Sequence, residues 1–290
     1  MKKLFLDRRD GKRIKHKDPV LRLIPYIMPK RYDAHVYFED SVNLTDAEKL
    51  IKSLRKEGHR IIFLHVVMAA MLRTMVDYPK TNRFVKGRKV YARNDLCFSF
   101  AVKKEMSLQG EETVLKIYFD RKDTLIDIIN KTNEAILKSK TKNEKNQTDK
   151  LAKLFNFLPG SLLRFAIFLV NRMDNHRLLP KFLSKASPFH SSAFVTDLGS
   201  LGISPIYHHI YDFGTTSFFF AFGTKKRNVI LDKDHNIKAQ RQMDIKIAID
   251  ERISDGYYMA TVIKRFKKYI EKPEGLLNPP EVIPVDDEIR

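Results

Sequence analysis

The chain has no tryptophan and a single cysteine, Cys97, in 290 residues. One thiol excludes an internal disulfide and any multi-cysteine metal site, and it fits a reducing compartment. No run of about 18 uninterrupted apolar residues occurs, so no transmembrane helix is expected. The nearest run, Leu154–Val170, contains Pro159, Gly160 and Arg164 and reads as a pair of core or cap helices. The N-terminus, MKKLFLDRRDGKRIKHK, meets charge straight after Leu4–Leu6 and lacks the apolar centre of a secretory signal. A cytoplasmic protein is expected. Zinc-finger spacing, aromatic RNA-binding motifs and internal repeats are also missing, so the sequence makes no case for nucleic acid as a partner.

What is present is an apolar share of 43%, enough for a large core, and a formal charge of +19. The charge is uneven: residues 1–31 hold 11 Lys/Arg against 3 Asp/Glu, and 271–290 hold 2 against 6. Such an excess favours anionic partners, either a phosphorylated cofactor or anionic lipid, over neutral ones. The basic, apolar stretch 151–185 adds a surface that could touch a membrane.

Residues 1–20 read as a basic arm crossing the surface. Leu21–Met28 predicts a short helix or turn stopped by Pro25 or Pro29, and Ala34–Val42 a strand. Thr45-Asp46-Ala47-Glu48 has the form of a capping box, opening a helix that ends at Gly58. Ile61–Tyr78 is apolar around nearly its whole circumference, which marks a buried helix, with His65 as a core histidine. Strands are predicted over Arg83–Tyr91 (turning at Lys86-Gly87), Leu96–Val102 and Thr113–Phe119, and a helix over Thr124–Lys138. Ser139–Lys150 is polar and predicts a surface loop or helix extension, and Leu151–Leu183 is helical. Then come a strand at Ser191–Asp197, a glycine turn at Leu198–Gly202, strands at Thr215–Phe222 and Asn228–Leu231, and a turn at Asp232–Asn236. A long strand, Ile237–Asp250, runs into a sharp turn and an amphipathic helix.

Four motifs stand in a telling order: the buried helix ending in Tyr78-Pro79-x-Thr81-Asn82, then SSAFVTDLGSLGI, then FFFAFG, then a long strand into DERISDG. This order resembles the catalytic domain of 2-oxoacid dehydrogenase acyltransferases (E2) and the related chloramphenicol acetyltransferases. The likeness runs from Leu21 to Glu271. It divides the chain into a basic arm (1–20), an acyltransferase-like domain (21–271) and an acidic tail (272–290). The resemblance implies an α/β fold, an α+β two-layer sandwich with a large mixed sheet flanked by helices. It implies a homotrimer whose active-site channel lies between subunits, with coenzyme A entering from one side and the acceptor from the other.

The family's motif is His-x-x-x-Asp-Gly. The histidine is the general base, the aspartate is structural and tied to an arginine, and a Ser or Thr on a neighbouring strand binds the oxyanion. By that resemblance Asp255 and Gly256 match, with Asp255 capping the helix and pairing with Arg22, Arg31 or Arg252. Gly256 suits a tight turn, and Arg252 is structural at the site. Thr196 is the first choice for the oxyanion hydroxyl and Ser192 the second. Glu251 stands where the family has its histidine. A carboxylate near its reference pKa of about 4 is a poor base, although burial in an apolar channel would raise it. His208 and His209, just after the glycine turn, are the alternative bases, followed by His190 and His35. No metal is expected, because no partner for the His-His pair stands at helical spacing. The sequence shows no lipoyl-lysine module, so no covalently attached lipoate is expected and free acyl-CoA would be the donor. The expectation is acyl-CoA-dependent transfer to a hydroxyl, amine or thiol acceptor; the alternative is a non-catalytic trimeric relative that binds a ligand or partner.

Overall fold

The computed structural model describes residues 7–103, 112–140, 156–231 and 234–289. Two sheets organise them. The larger has six strands in the order β2 (His35–Asn43), β9 (Ile237–Asp250), β8 (Phe218–Leu231), β7 (Ala193–Asp197), β5 (Leu96–Lys103), β6 (Glu112–Phe119). β7 runs parallel to both β8 and β5, and the other pairs are antiparallel, so the sheet is mixed as expected. The smaller sheet joins β1 (Gly11–Arg13), β4 (Lys89–Arg93) and β3 (Arg83–Lys86).

Alternation along the strands decides which side is core. Phe218, Phe220 and Phe222, with Ile245, Ile247 and Ile249 beside them, belong to one large buried cluster that includes the helices. Phe194, Phe219 and Ala248 point the other way and form a small second cluster with Ile210. Helix α3 (Phe63–Asp77) is the centre of the large cluster and is buried from Phe63 to Val76. Each such Leu, Val or Met contributes roughly 1.5–3 kcal/mol. His65 in α3 is a core histidine: its Nδ1 accepts from Ile62 N at 3.1 Å, and burial alone pushes its pKa down to about 4. α2 (Thr45–Lys56), α4 (Leu125–Lys140) and α7 (Gly256–Glu271) complete the helical layer.

Several local expectations need correction. The capping box is not formed. Thr45 is already helical, Leu44 occupies the cap, and Asn43 Oδ1 accepts from Thr45 N at 2.9 Å, while Glu48 pairs with Lys225 and Arg241. The first helix, α1 (Pro19–Ile27), runs through Pro25. The arm is no loose surface segment over its described part: β1 joins the small sheet, Arg8 is buried, and Ile14 bridges Ile289 in the tail. The two strands expected on either side of residue 225 are one strand, β8, with an irregularity between Phe222 and Lys225. Helix α5 (Gly160–Asn175) falls within the expected helical stretch, and α6 (Lys181–Ala186) starts inside it and runs three residues past its expected end at Leu183. The loop expected at 139–150 lies outside the described residues beyond Lys140, as do 151–155 and the turn residues 232–233.

Candidate active site

β9 ends at Asp250, which is fully buried and holds two arginines. Arg252 grips it with both arms, Nε to Oδ1 and Nη2 to Oδ2, each at 2.7 Å. Arg31 Nε reaches Oδ2 at 3.2 Å. The remaining guanidinium donors go to backbone: Arg31 to Tyr211 O at 2.8 Å and Val85 O at 3.0 Å, Arg252 to Met28 O at 3.0 Å. Burial opposes ionisation of Asp250, but the hydrogen bonds and charge of Arg252, with the charge of Arg31, hold its carboxyl below the usual range. The junction thus ties β9, the approach to β2 and the loop before β8 into one piece.

This overturns the expected partner for Asp255. Arg31 and Arg252 are both engaged by Asp250, and Arg22 is exposed. Asp255 is itself exposed and caps α7, accepting from Tyr258 N at 2.9 Å. Gly256 opens that helix, and a Cβ there would meet nothing within 4 Å, so the chain's own packing does not require glycine. Glu251 begins the one-turn helix Glu251–Ile253. It is half-buried and forms no hydrogen bond or ion pair among the described residues.

The oxyanion candidates separate clearly. Ser192 is buried and its Oγ accepts from Cys97 N at 3.2 Å, so it locks the start of β7 onto β5. Thr196 is half-buried, without a hydrogen-bond partner among the described residues, and alternates onto the outer face with Phe194. Register places Thr196 beside Ala221, and Ala221 beside Lys246. Glu251 lies five residues beyond Lys246, about 16 Å along the strand direction at roughly 3.3 Å per residue. Thr196 and Glu251 of one chain therefore do not meet.

The histidines sort by what occupies their nitrogens. His35 pairs with Asp250 in register; its Nε2 accepts from Ile210 N at 3.3 Å and its Nδ1 lies 3.2 Å from Tyr37 Oη. His190 is deep in a network, 3.2 Å from Asp174 and 2.8 Å from Ser187 Oγ, with Arg8 and Lys86 on the same aspartate. Its place is structural. His209 is exposed, edge-on to Tyr211. His208 stacks on Phe219 with ring centroids 4.3 Å apart, and its Nε2 is buried without a hydrogen-bond partner among the described residues. Burial and the charge of His209 hold its pKa below the ordinary imidazole value. Phe219 pairs with Phe194, two residues from Thr196, so His208 and Thr196 share the outer face one row apart. Thr196 and His208 thus share one face of the sheet without a hydrogen bond between them among the described residues, and Glu251, Arg252, Asp255 and Gly256 form a separate group. No cluster of metal-ligating side chains occurs among the described residues.

Residues 183–278, which span β7, β8, β9, the junction and α7, match the family described as 2-oxoacid dehydrogenases acyltransferase (catalytic domain). The chain resembles this family. Its fold is shared with the dihydrolipoamide acetyltransferase of Azotobacter vinelandii (14% identity, 91% of this chain and 94% of that one, TM-score 0.57). It is shared equally with a catalytic core of the 2-oxoacid dehydrogenase complex from Thermoplasma acidophilum (16%, 90% and 99%, 0.52) and with a chloramphenicol acetyltransferase (10%, 89% and 99%, 0.53). No curated protein sequence matches the chain. The fold class read from the sequence is therefore the observed one: a large mixed sheet flanked by helices, as in these acyltransferases.

Sequence reasoning missed Asp250 as the anchor of the junction. Its signal was present, an aspartate closing an alternating apolar strand and followed within two residues by arginine. Phe219 as the platform for His208 had no comparable signal, because only the folded register puts the two in contact.

Proposed function

We propose that this protein transfers an acyl group from acyl-CoA to a hydroxyl, amine or thiol acceptor, as a homotrimer whose site is completed between subunits. One observation carries the reading. Thr196 and Glu251 are both half-buried and unpartnered among the described residues, yet lie on opposite stretches of one sheet. Packing of two chains would bring the Glu251 turn of one over the Thr196 face of its neighbour. A serine and a histidine have been investigated in the catalytic mechanism of the structurally similar dihydrolipoamide acetyltransferase of Azotobacter vinelandii. In this chain the base is His208, an imidazole on the same face of the sheet as Thr196, whose hydroxyl would donate to the tetrahedral oxyanion. Glu251 lines the site from the neighbouring subunit, and the positive charge of the chain suits the phosphates of CoA.

Thiol release from acetyl-CoA and longer acyl-CoAs tests the reading with Thr196→Ala, His208→Gln and Glu251→Gln. Loss in the first two, with a smaller effect of the third, is the expected pattern. Loss confined to Glu251→Gln would return the base role to Glu251. No thiol release from any acyl-CoA by the wild-type trimer would make the chain a non-catalytic relative.

A second reading concerns location. Helix α5 turns Phe165 (59% exposed) and Phe168 (63%) to solvent, with Phe157, Leu178 and Phe182 exposed around it. Arg164, Arg172, Lys181 and Lys185 are exposed in the same stretch, and its one acid, Asp174, is buried. This combination fits an anionic membrane surface, while among the described residues no helix is long and apolar enough to cross one. Flotation with phosphatidylglycerol vesicles, but not phosphatidylcholine vesicles, lost in Phe165→Ser/Phe168→Ser, is the expected result.

A further inference from the structure

At the β6 edge of the large sheet, α6 and the segment after it lie against a lysine in an unusual setting. Along β6, Leu115 and Ile117 belong to the large core cluster, whereas Val114 packs on the small outer one. Alternation puts Lys116 on that outer face, opposite Ser99 of β5. It is half-buried, and its Nζ donates to two backbone carbonyls, Ser184 O at 2.8 Å and Ser187 O at 3.2 Å. The Tyr118 ring centroid lies 5.3 Å from Nζ. Lys116 forms no ion pair among the described residues.

A lysine is ordinarily an ammonium with three donors, stabilised by water or an anion. Two carbonyls take two hydrogens here, which is all that a neutral amine has to give, and its lone pair is left over. Burial pushes the pKa down to about 8; the charge of Arg93 acts in the same direction, against the opposing pull of Cys97, Asp10 and Asp95. Neither acid pairs with it: Asp10 gives its oxygens to Arg8, at 2.7 and 3.2 Å, and Asp95 is exposed. A lysine that served only to close the end of α6 would do so best as a full ammonium. Desolvation beside a cationic neighbour is instead the setting of a nucleophilic amine.

Lys116 lines a small pocket of about 20 Å³, room for one water-sized group. The neighbouring groups do not compete with it as nucleophiles. Cys97 is 1% exposed, and His190 is held by Asp174 and Ser187. Arg9, Lys181 and Lys185 also line the pocket; they are exposed, so they stand at its rim, and they form no ion pair among the described residues. The pocket has space for a carbonyl group, and its rim attracts negative charge.

We infer that Lys116 is a covalent site, whose Nζ condenses with a small aldehyde that carries a phosphate or carboxylate. The amine lone pair attacks the carbonyl carbon and forms the N–C bond. Both amine hydrogens leave with the carbonyl oxygen as water, and a C=N double bond remains. The carbonyl end enters the pocket, while the anion stays at the rim against Arg9, Lys181 and Lys185. Thr196, His208 and Glu251 do not line this pocket, so a chain inactive toward acyl-CoA would still form the imine.

The test is labelling of the full chain with pyridoxal 5′-phosphate, borohydride reduction and peptide mass mapping. At neutral pH Lys116 is expected to react at least about tenfold faster than the exposed Lys238, because more of it is unprotonated. Its rate should rise with pH through a midpoint near 8. Lys116→Arg should remove the fast phase and leave slow labelling elsewhere. Pyridoxal, which lacks the phosphate, should react several-fold more slowly. Lys181→Ala/Lys185→Ala, both exposed, should bring the rate with pyridoxal 5′-phosphate down to that of pyridoxal. Equal labelling of Lys116 and Lys238, or a fast phase that survives in Lys116→Arg, overturns the inference. Equal rates for the two aldehydes overturn the anionic class of the substrate.

Discussion

Two settings of buried arginine make the most instructive contrast in this molecule. At the end of β9, Arg31 and Arg252 surround Asp250 and spend their remaining donors on backbone carbonyls. In the small sheet, Arg93 is buried to a similar degree, donates to Thr215, lies over the Phe84 ring and forms no ion pair among the described residues. The first set is internally complete and holds backbone segments in place. The second leaves Arg93 Nε buried without an acceptor among the described residues. Burial of charge by itself therefore does not mark a ligand site.

The contrast can be broken by mutation. Asp250→Ala leaves two guanidiniums buried and unpaired, and should cost about 3–5 kcal/mol in urea unfolding. Arg93→Met removes a charge that forms no ion pair among the described residues, and should change the stability of the chain by less than about 1 kcal/mol. Equal losses in the two variants would erase the distinction drawn here. Next in size is the acid response of His65. Its folded pKa of about 4 lies below the unfolded value of 6.5. The stability it supports is present above pH 6.5 and is lost as pH falls toward 4. The full effect is about 3 kcal/mol, readable as the pH dependence of the urea midpoint in wild type against His65→Gln.

Removing the proposed base by His208→Gln should lower the acyl-transfer rate about 100-fold or more, with KM for acyl-CoA little changed. Because burial holds the His208 pKa down, the wild-type rate should rise with pH through a midpoint below the ordinary imidazole value and then stay level. A midpoint above that value would argue against His208. The smallest effects belong to the two residues whose hydroxyl or carboxylate is occupied locally. Ser192→Ala and Asp255→Ala should each cost about 1 kcal/mol, through one strand contact and one helix cap. A 100-fold rate loss in Ser192→Ala would overturn its placement as a structural hydroxyl.

Much of the fold was legible along the chain. The apolar circumference of α3 announced a buried helix, and alternation announced β2, β5, β6 and β9. Short capping signals misled: Thr45 and Glu48 have the right spacing for a capping box, but Asn43 and the ion pairs of Glu48 offered better partners. Thr196 and Ser192 look alike in SSAFVTD. Their difference is one of register, since Ser192 meets Cys97 on β5 while Thr196 faces outward.

The sequence by itself determined the order of the motifs and the basic character of the arm, and the resemblance that the motifs carry gave the fold class. These are local or periodic properties, written in residue type and spacing. Only the tertiary structure decided that Asp250 rather than Asp255 holds the arginines. It also decided that His208 lies on Phe219, and that Arg93 is buried without an ion pair among the described residues. Each of these depends on which distant segments share a surface, and strand pairing sets that after the local choices have been made.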